Sequence, residues 1–580
     1  MNCWRWALAF LAASIHGVSN LCNFDQQDPM GKSNQQTAGD MIVANLLANG
    51  VDTVFGLPGV QTYPVFDALA RNADQIRTVS ARHEQATAYM ALGYAKSTGR
   101  PSVFSVVPGP GVLNTGAALC TAFGVNAPIM CVTGQSPSTF MGQLRGHLHE
   151  LPDQRATLAS FIKAAYRIEH PQDVNNVMAQ AWRTMISGRQ GPVSVEMGWD
   201  TMAMTGSSTR AAAIAPDPDP IVDEAMIEAA VRIIKRAKRP MIMVGGGAQH
   251  AGQEVVELAE KLGAPVTTHR SGKGVVPGDH PLFVDMVAAY ELWSETEVLI
   301  GIGSRLELQY MRWTGMRKMI QAPSALPHLV RIDIDGAEMR RLRPHIPIVA
   351  DAVAGTQALL DALGDGKPKS GMKKRIRLAV DETRDAVDDI QPQMSYLNVI
   401  REVLPRDGFF VDDLCQVVYT SYFGWRAYEP RTYVTCGYQG TLGYGYPTAL
   451  GVKMANPNKA VISILGDGGF MFAVQELATA VQEKIGVVAV VFNNSAYGNV
   501  RRDQKNLFNN RTNAVELQNP DFMMLAKSFG AKGYQASSPE ELRPALKQAI
   551  AEDVPALIEV TVDPDSETSA WPLLVRAPVS

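Results

Sequence analysis

The chain has 580 residues, with 53 Lys and Arg set against 57 Asp and Glu, a net charge of −4. Such a balance leaves no basic footprint for nucleic acid, and the length alone points to about four domains, with three also in range. Six cysteines (Cys3, Cys22, Cys120, Cys131, Cys415 and Cys436) are scattered without CxxC spacing. That pattern supports neither zinc nor a disulfide framework and fits a reduced, cytoplasmic chain.

In chain order, the first stretch is MNCWRWALAFLAASIHGVSN. One arginine followed by a short apolar run has the shape of a weak signal peptide, too short to span a membrane and without an A-x-A site. Met30 opens a more natural start, so residues 1–29 read as an upstream mis-start rather than an export signal. We take residues 1–36 as an N-terminal extension and expect no membrane helix elsewhere.

From residue 37 short β-rich runs alternate with helical stretches. Examples are VDTVFGLPG and PSVFSVVPGPG in the first block, and RPMIMVGGG and HLVRIDIDG in the second. This alternation predicts α/β architecture three times over, each block a doubly wound parallel sheet. Two linkers divide the blocks, the Pro-rich 205–220 and the Gly/Lys-rich 364–375. The expected domains are 37–204, 220–364 and 385–565, with a C-terminal tail at 566–580. In the central block GGGAQHAG (Gly245 to Gly252) follows a strand but is not GxGxxG. We read its glycines as serving tight strand–helix packing.

In the first block Glu84 follows the strand IRTVS and opens a helix. An acidic residue there is favoured by the helix dipole alone. In the third block the segment 466–494 reads GDGGFMFAVQELATAVQEKIGVVAVVFNN. AVISIL before it and VVAVVF within it predict buried parallel strands joined by a helix in a right-handed βαβ unit. Asp467 and Asn494 then follow neighbouring strand ends and meet in the crevice where open α/β sheets bind ligands. Their oxygens are hard ligands suited to Mg²⁺, which protein oxygens and phosphate oxygens commonly share. The glycines leave backbone N–H groups free to approach phosphate. A second GDG, Gly364-Asp365-Gly366, has neither a strand before it nor an amphipathic helix after it, and we assign it no chemistry.

GDG followed by NN at this spacing resembles the motif of thiamine diphosphate enzymes. SARHEQATAYMALGYA, FGLPG, PGPG and GQSP resemble further signatures of that family, and the likeness runs from about residue 37 to 565. The closest branch is that of the acetohydroxyacid (acetolactate) synthases and benzaldehyde lyases. The resemblance implies thiamine diphosphate and Mg²⁺ as cofactors, with Asp467, Asn494 and the Ala496 carbonyl as metal ligands. It implies that Glu84 hydrogen-bonds the cofactor's far pyrimidine nitrogen and drives the imino tautomer that removes the reactive proton. It implies that Leu442, in GYQGTLGYG, wedges the cofactor into its bent form, that the Gly440 carbonyl accepts from its amino group, and that Gln416 touches the diphosphate. Pro58, Gly59, Gly109, Gly466, Gly468, Gly469 and Tyr497 complete the implied cofactor contacts. Gln61 and His149 are candidates for facing the reacting carbon, since a histidine can move protons near neutral pH.

In that family the site forms between the pyrimidine-binding domain of one chain and the diphosphate-binding domain of another. A homodimer is thus implied as the minimum unit, or a homotetramer as a dimer of dimers. The implied chemistry is carboligation or lyase action on small carbonyl substrates, through an enamine, with a 2-keto acid such as pyruvate or a 2-hydroxy ketone as donor. A 2-keto acid decarboxylase or oxidase is the first alternative, and a non-catalytic, cofactor-binding regulatory relative the second. Val500 stands where simple pyruvate decarboxylases carry a glutamate, which favours ligation or lyase chemistry. Several positions depart from the branched-chain biosynthetic enzymes. Asn499 and Asp503 replace a methionine and a substrate-selecting tryptophan, Gln309 replaces a carboxylate-binding arginine, and Leu148-His149-Glu150 replaces FQE. LFVDM replaces the flavin-contacting MHG segment, so FAD is not expected.

Overall fold

A computed structural model describes residues 35–207, 210–306, 309–315, 327–365 and 372–579. The proposed mis-start, Cys3 and Cys22 lie outside the described residues, as does Gly366. The chain builds three parallel sheets. The first contains Thr53–Gly56, Arg77–Ser80, Ser102–Val106, Ile129–Gln135, Ala164–Ile168 and Val193–Gly198. Numbered along the chain, these strands stand in the spatial order 2-1-3-4-6-5. The third sheet holds Phe409–Asp412, Tyr433–Val434, Val461–Gly466, Val488–Asn493, Lys532–Ala536 and Ala556–Thr561, again in the order 2-1-3-4-6-5. The central sheet has five strands, Pro240–Val244, Val266–Thr268, Val298–Ile302, His328–Asp333 and Ile346–Val349, in the order 2-1-3-4-5.

The inner strands are buried along their length, as in VLIGI and VISILG, because helices cover both faces. AVISIL and VVAVVF form the neighbouring strands Val461–Gly466 and Val488–Asn493, paired in parallel with Ile464 opposite Val490. The single helix expected between them is two, Asp467–Met471 and Glu476–Glu483. The break re-aims the second helix so that the buried Glu476 carboxylate meets the Arg82 amide at 3.2 Å. The first linker starts as a strand, Thr205–Ser207, paired antiparallel with Gln35–Thr37. The described end of the second linker opens the helix Met372–Asp388, which lays Met372, Ile376 and Ala379 on the central core.

In the central domain a β-carbon at Gly247 would lie 2.9 Å from the Gly303 Cα, and one at Gly245 would strike the Gly303 carbonyl. These glycines let two strand-end loops touch.

The outer two domains share one apolar core. Phe104, Leu119 and Tyr89 of the first pack in the same cluster as Tyr444, Leu450 and Leu477 of the third. Its axis is a pair of helices, Glu84–Thr98 and Gly445–Ala455, each of which follows the second strand of its own sheet. Both are apolar nearly all round, the pattern of a helix buried on every side. Side chains at Gly93 and Gly451 would run into the carbonyl oxygens of Thr448 and Met90. Glycine at these two points allows backbone-to-backbone approach.

Candidate active site

The strand Val461–Gly466 ends at Asp467 and its neighbour Val488–Asn493 ends at Asn494, so both side chains reach one edge of the sheet. They line a cavity of about 260 Å³. Every C-terminal cofactor or metal contact implied by the resemblance lines it: Gln416, Gly440, Leu442, Gly466, Asp467, Gly468, Gly469, Asn494, Ala496 and Tyr497. Local geometry explains several of these placements. Gly440 adopts φ +60°, a left-handed conformation that suits glycine. A β-carbon at Gly468 would lie 2.5 Å from the Tyr497 ring. The Tyr497 amide donates to the Val515 carbonyl at 2.9 Å and the Leu517 amide to the Ser495 carbonyl at 2.8 Å. This pairing turns the Ala496 carbonyl away from 515–517.

The donor set fits a divalent cation. Asp467 is 2% exposed, and burial pushes its carboxyl above the usual carboxylate range, opposed by a hydrogen bond from Asn519. Glu567 lines the same cavity, and burial raises it to about 7. Neither carboxyl has an ion-pair partner among the described residues. Two such groups beside the Asn494 side chain offer hard oxygens with no ion-pair partner among the described residues. The same space fits a diphosphate. The helices Gln416–Gly424 and Gly498–Leu507 start at its rim, and their N-caps Cys415 and Tyr497 supply no side-chain cap. Their first backbone N–H groups are therefore available to an anion.

The N-terminal candidates gather elsewhere. Glu84 opens its helix and accepts from Asn114 Nδ2 at 3.0 Å. Gly111, in the same PGPG turn as Gly109, lies beside the Glu84 side chain. Gly109 has φ +62°, and its amide donates to Gln154 Oε1 at 2.9 Å. A β-carbon at Gly109 would collide with the His149 carbonyl. His149 Nδ1 lies 3.2 Å from Gln61 Oε1, so the two sequence candidates meet side chain to side chain. Pro58 and Gly59 form the turn after the first strand, where the Gly59 amide donates to Thr62 Oγ1 at 3.2 Å. None of these residues lines the Asp467 cavity. The candidates thus fall into two separate groups.

Residues 36–157 match the family description "Thiamine pyrophosphate enzyme, N-terminal TPP binding domain". Residues 227–359 match that family's central domain and residues 415–560 its C-terminal TPP binding domain. A "Probable acetolactate synthase large subunit" of Methanocaldococcus jannaschii is 33% identical over 553 residues, 90% of this chain and 92% of that protein. The chain belongs to the thiamine pyrophosphate enzymes. It is an acetolactate synthase-like enzyme that depends on thiamine diphosphate. The "Acetolactate synthase isozyme 1 large subunit" of Escherichia coli is 30% identical over 553 residues, covering 93% of this chain and 96% of its own. A "Probable 2-ketoarginine decarboxylase AruI" of Pseudomonas aeruginosa is 32% identical over 549 residues, 92% and 95% of the two chains.

Sequence reasoning missed four polar residues around these candidates. Asn519 donates to Asp467 Oδ2 at 2.7 Å and to Asn493 Oδ1 at 2.9 Å. Glu567 accepts from Asn494 Nδ2 at 3.0 Å. Asn114 reaches Glu84, and Glu476 ties the loop before Glu84 to the C-terminal domain. Only long-range folding brings them in, and no local motif marks them. Gln309 is buried, its amide 3.4 Å from the Thr268 carbonyl in the central domain. Asn499 lines the cavity and accepts from the Trp571 indole at 2.7 Å, while Asp503 pairs with Arg502 at 3.0 Å. No described helix is long and apolar enough to cross a membrane.

Proposed function

We propose that this enzyme forms or cleaves a C–C bond next to a carbonyl, taking a 2-keto acid such as pyruvate or a 2-hydroxy ketone as donor. The observation that carries this reading is the convergence of Asp467 and Asn494 in a cavity rimmed by uncapped helix N-termini. Asp467, Asn494 and the Ala496 carbonyl hold Mg²⁺, and the backbone N–H groups at Gln416, Gly468 and Gly469 receive the diphosphate. Bound there, thiamine diphosphate supplies a nucleophilic carbon that stabilises negative charge next to a former carbonyl. Leu442 and Gly440 orient its rings. Glu84 holds a proton at the far pyrimidine nitrogen, and His149 with Gln61 orients the substrate carbonyl.

Because Glu84 lies outside the Asp467 cavity, we place the complete site between two copies of the chain, in a homodimer or a homotetramer. Exposed apolar side chains beside each half-site support this: Val60, Leu113 and Leu148 near the first, Phe472, Val500 and Phe508 near the second. The cysteine pattern supports a cytoplasmic setting.

The acceptor we propose is an aldehyde or neutral ketone. An arginine fork binds a second carboxylate with charge and two hydrogen bonds, and the buried amide of Gln309 offers neither. Simple decarboxylation of a 2-keto acid is the second reading, favoured by likeness to the Pseudomonas protein named as a 2-ketoarginine decarboxylase. The test is CO₂ release and product analysis on a panel of 2-keto acids, including 2-ketoarginine, with and without aldehyde acceptors, Mg²⁺ and thiamine diphosphate. Ligated products that require both cofactors are expected. A yellow, FAD-bearing protein that makes 2-aceto-2-hydroxybutyrate efficiently from pyruvate and 2-ketobutyrate would overturn the acceptor assignment.

A further inference from the structure

The two side chains proposed as metal ligands each have one polar partner that the motif does not contain. Asp467 Oδ2 accepts from Asn519 Nδ2 at 2.7 Å. Asn494 Nδ2 donates to Glu567 Oε2 at 3.0 Å, while Asn494 Oδ1 lies 3.2 Å from the Ala496 amide. An asparagine amide has two faces of opposite character, an acceptor oxygen and a donor NH₂. Turned one way it offers a cation an oxygen; turned the other way it offers N–H groups. A carboxylate accepts only, so a fixed carboxylate beside Asn494 claims the NH₂ and leaves the oxygen for the other side.

Glu567 is well placed to be fixed. It belongs to the tail beyond the last strand, and the chain is tethered on both sides of it. On one side Asp565 pairs with Arg501 at 2.8 Å and Lys505 at 2.9 Å. On the other the Thr568 amide donates to the Gln391 carbonyl at 2.9 Å, and Gln393 Nε2 donates to the Thr568 carbonyl at 2.7 Å. Trp571 then donates to Asn499 at 2.7 Å, within the helix that starts at the cavity rim. The tail is thereby strapped across the helix Gly498–Leu507, with one carboxylate directed inward.

We infer that Glu567 is a positioning residue for the cation site: it sets which face of the Asn494 amide meets Mg²⁺. This rests on the Mg²⁺–thiamine diphosphate reading above. Outer partners of metal ligands of this kind change metal affinity by about 10–100-fold when removed.

The test measures the Mg²⁺ dissociation constant at saturating thiamine diphosphate for the full chain, by fluorescence titration or calorimetry. Wild type, Glu567→Ala, Glu567→Gln and Glu567→Asp are compared, with melting temperatures of the cofactor-free proteins as the folding control. Glu567→Ala is expected to weaken Mg²⁺ binding by about tenfold or more. Glu567→Gln can present either its oxygen or its NH₂ to Asn494, so it no longer fixes the amide's face and is expected to weaken binding by about three- to tenfold, less than alanine. Glu567→Asp is one methylene too short and should fall with alanine, which keeps the comparison open if the alanine variant does not fold. Wild-type affinity in the alanine and aspartate variants overturns the inference, and so does a glutamine variant that binds Mg²⁺ as tightly as wild type. If wild type itself fails to bind Mg²⁺ with thiamine diphosphate, the cofactor reading fails instead.

Discussion

The first and third domains have the same sheet, strand for strand, in the order 2-1-3-4-6-5, yet they carry different chemistry. In the third domain the loops after the third and fourth strands bear Asp467 and Asn494. In the first, the corresponding loops bear PGPG and GQSP, and the acidic residue Glu84 comes instead after the second strand. After the second strand of the third domain comes the Gly440–Leu442 turn. One scaffold thus carries a set of oxygens and amides in one domain, where we propose the diphosphate binds, and a single carboxylate in the other, which we propose meets a ring nitrogen. The fold locates the loops, and the loop residues decide what is bound.

That division of labour can be broken most severely at Asp467. Asp467→Ala should abolish retention of thiamine diphosphate, with affinity down by more than about 100-fold in equilibrium dialysis. Glu84→Gln should do the reverse, keeping the cofactor while losing proton exchange at its reactive carbon and about 10²–10⁴ in turnover. Wild-type exchange in Glu84→Gln would show that another group performs the task. Mixing the two inactive proteins after subunit exchange sharpens the comparison. A site shared between chains predicts recovery toward about a quarter of wild-type activity, because half the dimers are mixed and each holds one intact site. A site within one chain predicts none.

The junction between the two domains comes next. Gly451→Val forces a side chain against the Met90 carbonyl and should lower the apparent melting temperature by roughly 5–10 °C. The smallest effect is expected at the first half-site's His149–Gln61 contact. His149→Ala should reduce kcat/KM by about fivefold, the worth of one hydrogen bond, with cofactor affinity intact. An unchanged rate and pH profile would remove His149 from the site.

What the sequence made legible follows from distance along the chain. Asp467 and Asn494 belong to one βαβ unit, so strand runs and a short motif were enough to bring them to one edge. The placement of Glu84 at a helix start just past a strand was equally readable, while its role rests on the family resemblance. Asn519, Glu567 and Asn114 were not, since each reaches its partner from another element and sits in a stretch that reads as an ordinary polar loop or helix end. The helix after Asp467 was read as continuous because apolar spacing cannot report the turn that aims Glu476 at Arg82. The pairing of His149 with Gln61 was foreseen residue by residue but not as a contact, which depends on the long excursion from 136 to 153.

The crossing of the two buried helices at Gly93 and Gly451 also bears on motion. Backbones that touch with no side chain between them cannot slide or rotate without collision, so the first and third sheets move as one body. At the periphery the helix Gly498–Leu507 has no buried residue of its own and is held to the tail by the Asp565 ion pairs and the Trp571–Asn499 hydrogen bond, the same contacts that fix the strap carrying Glu567.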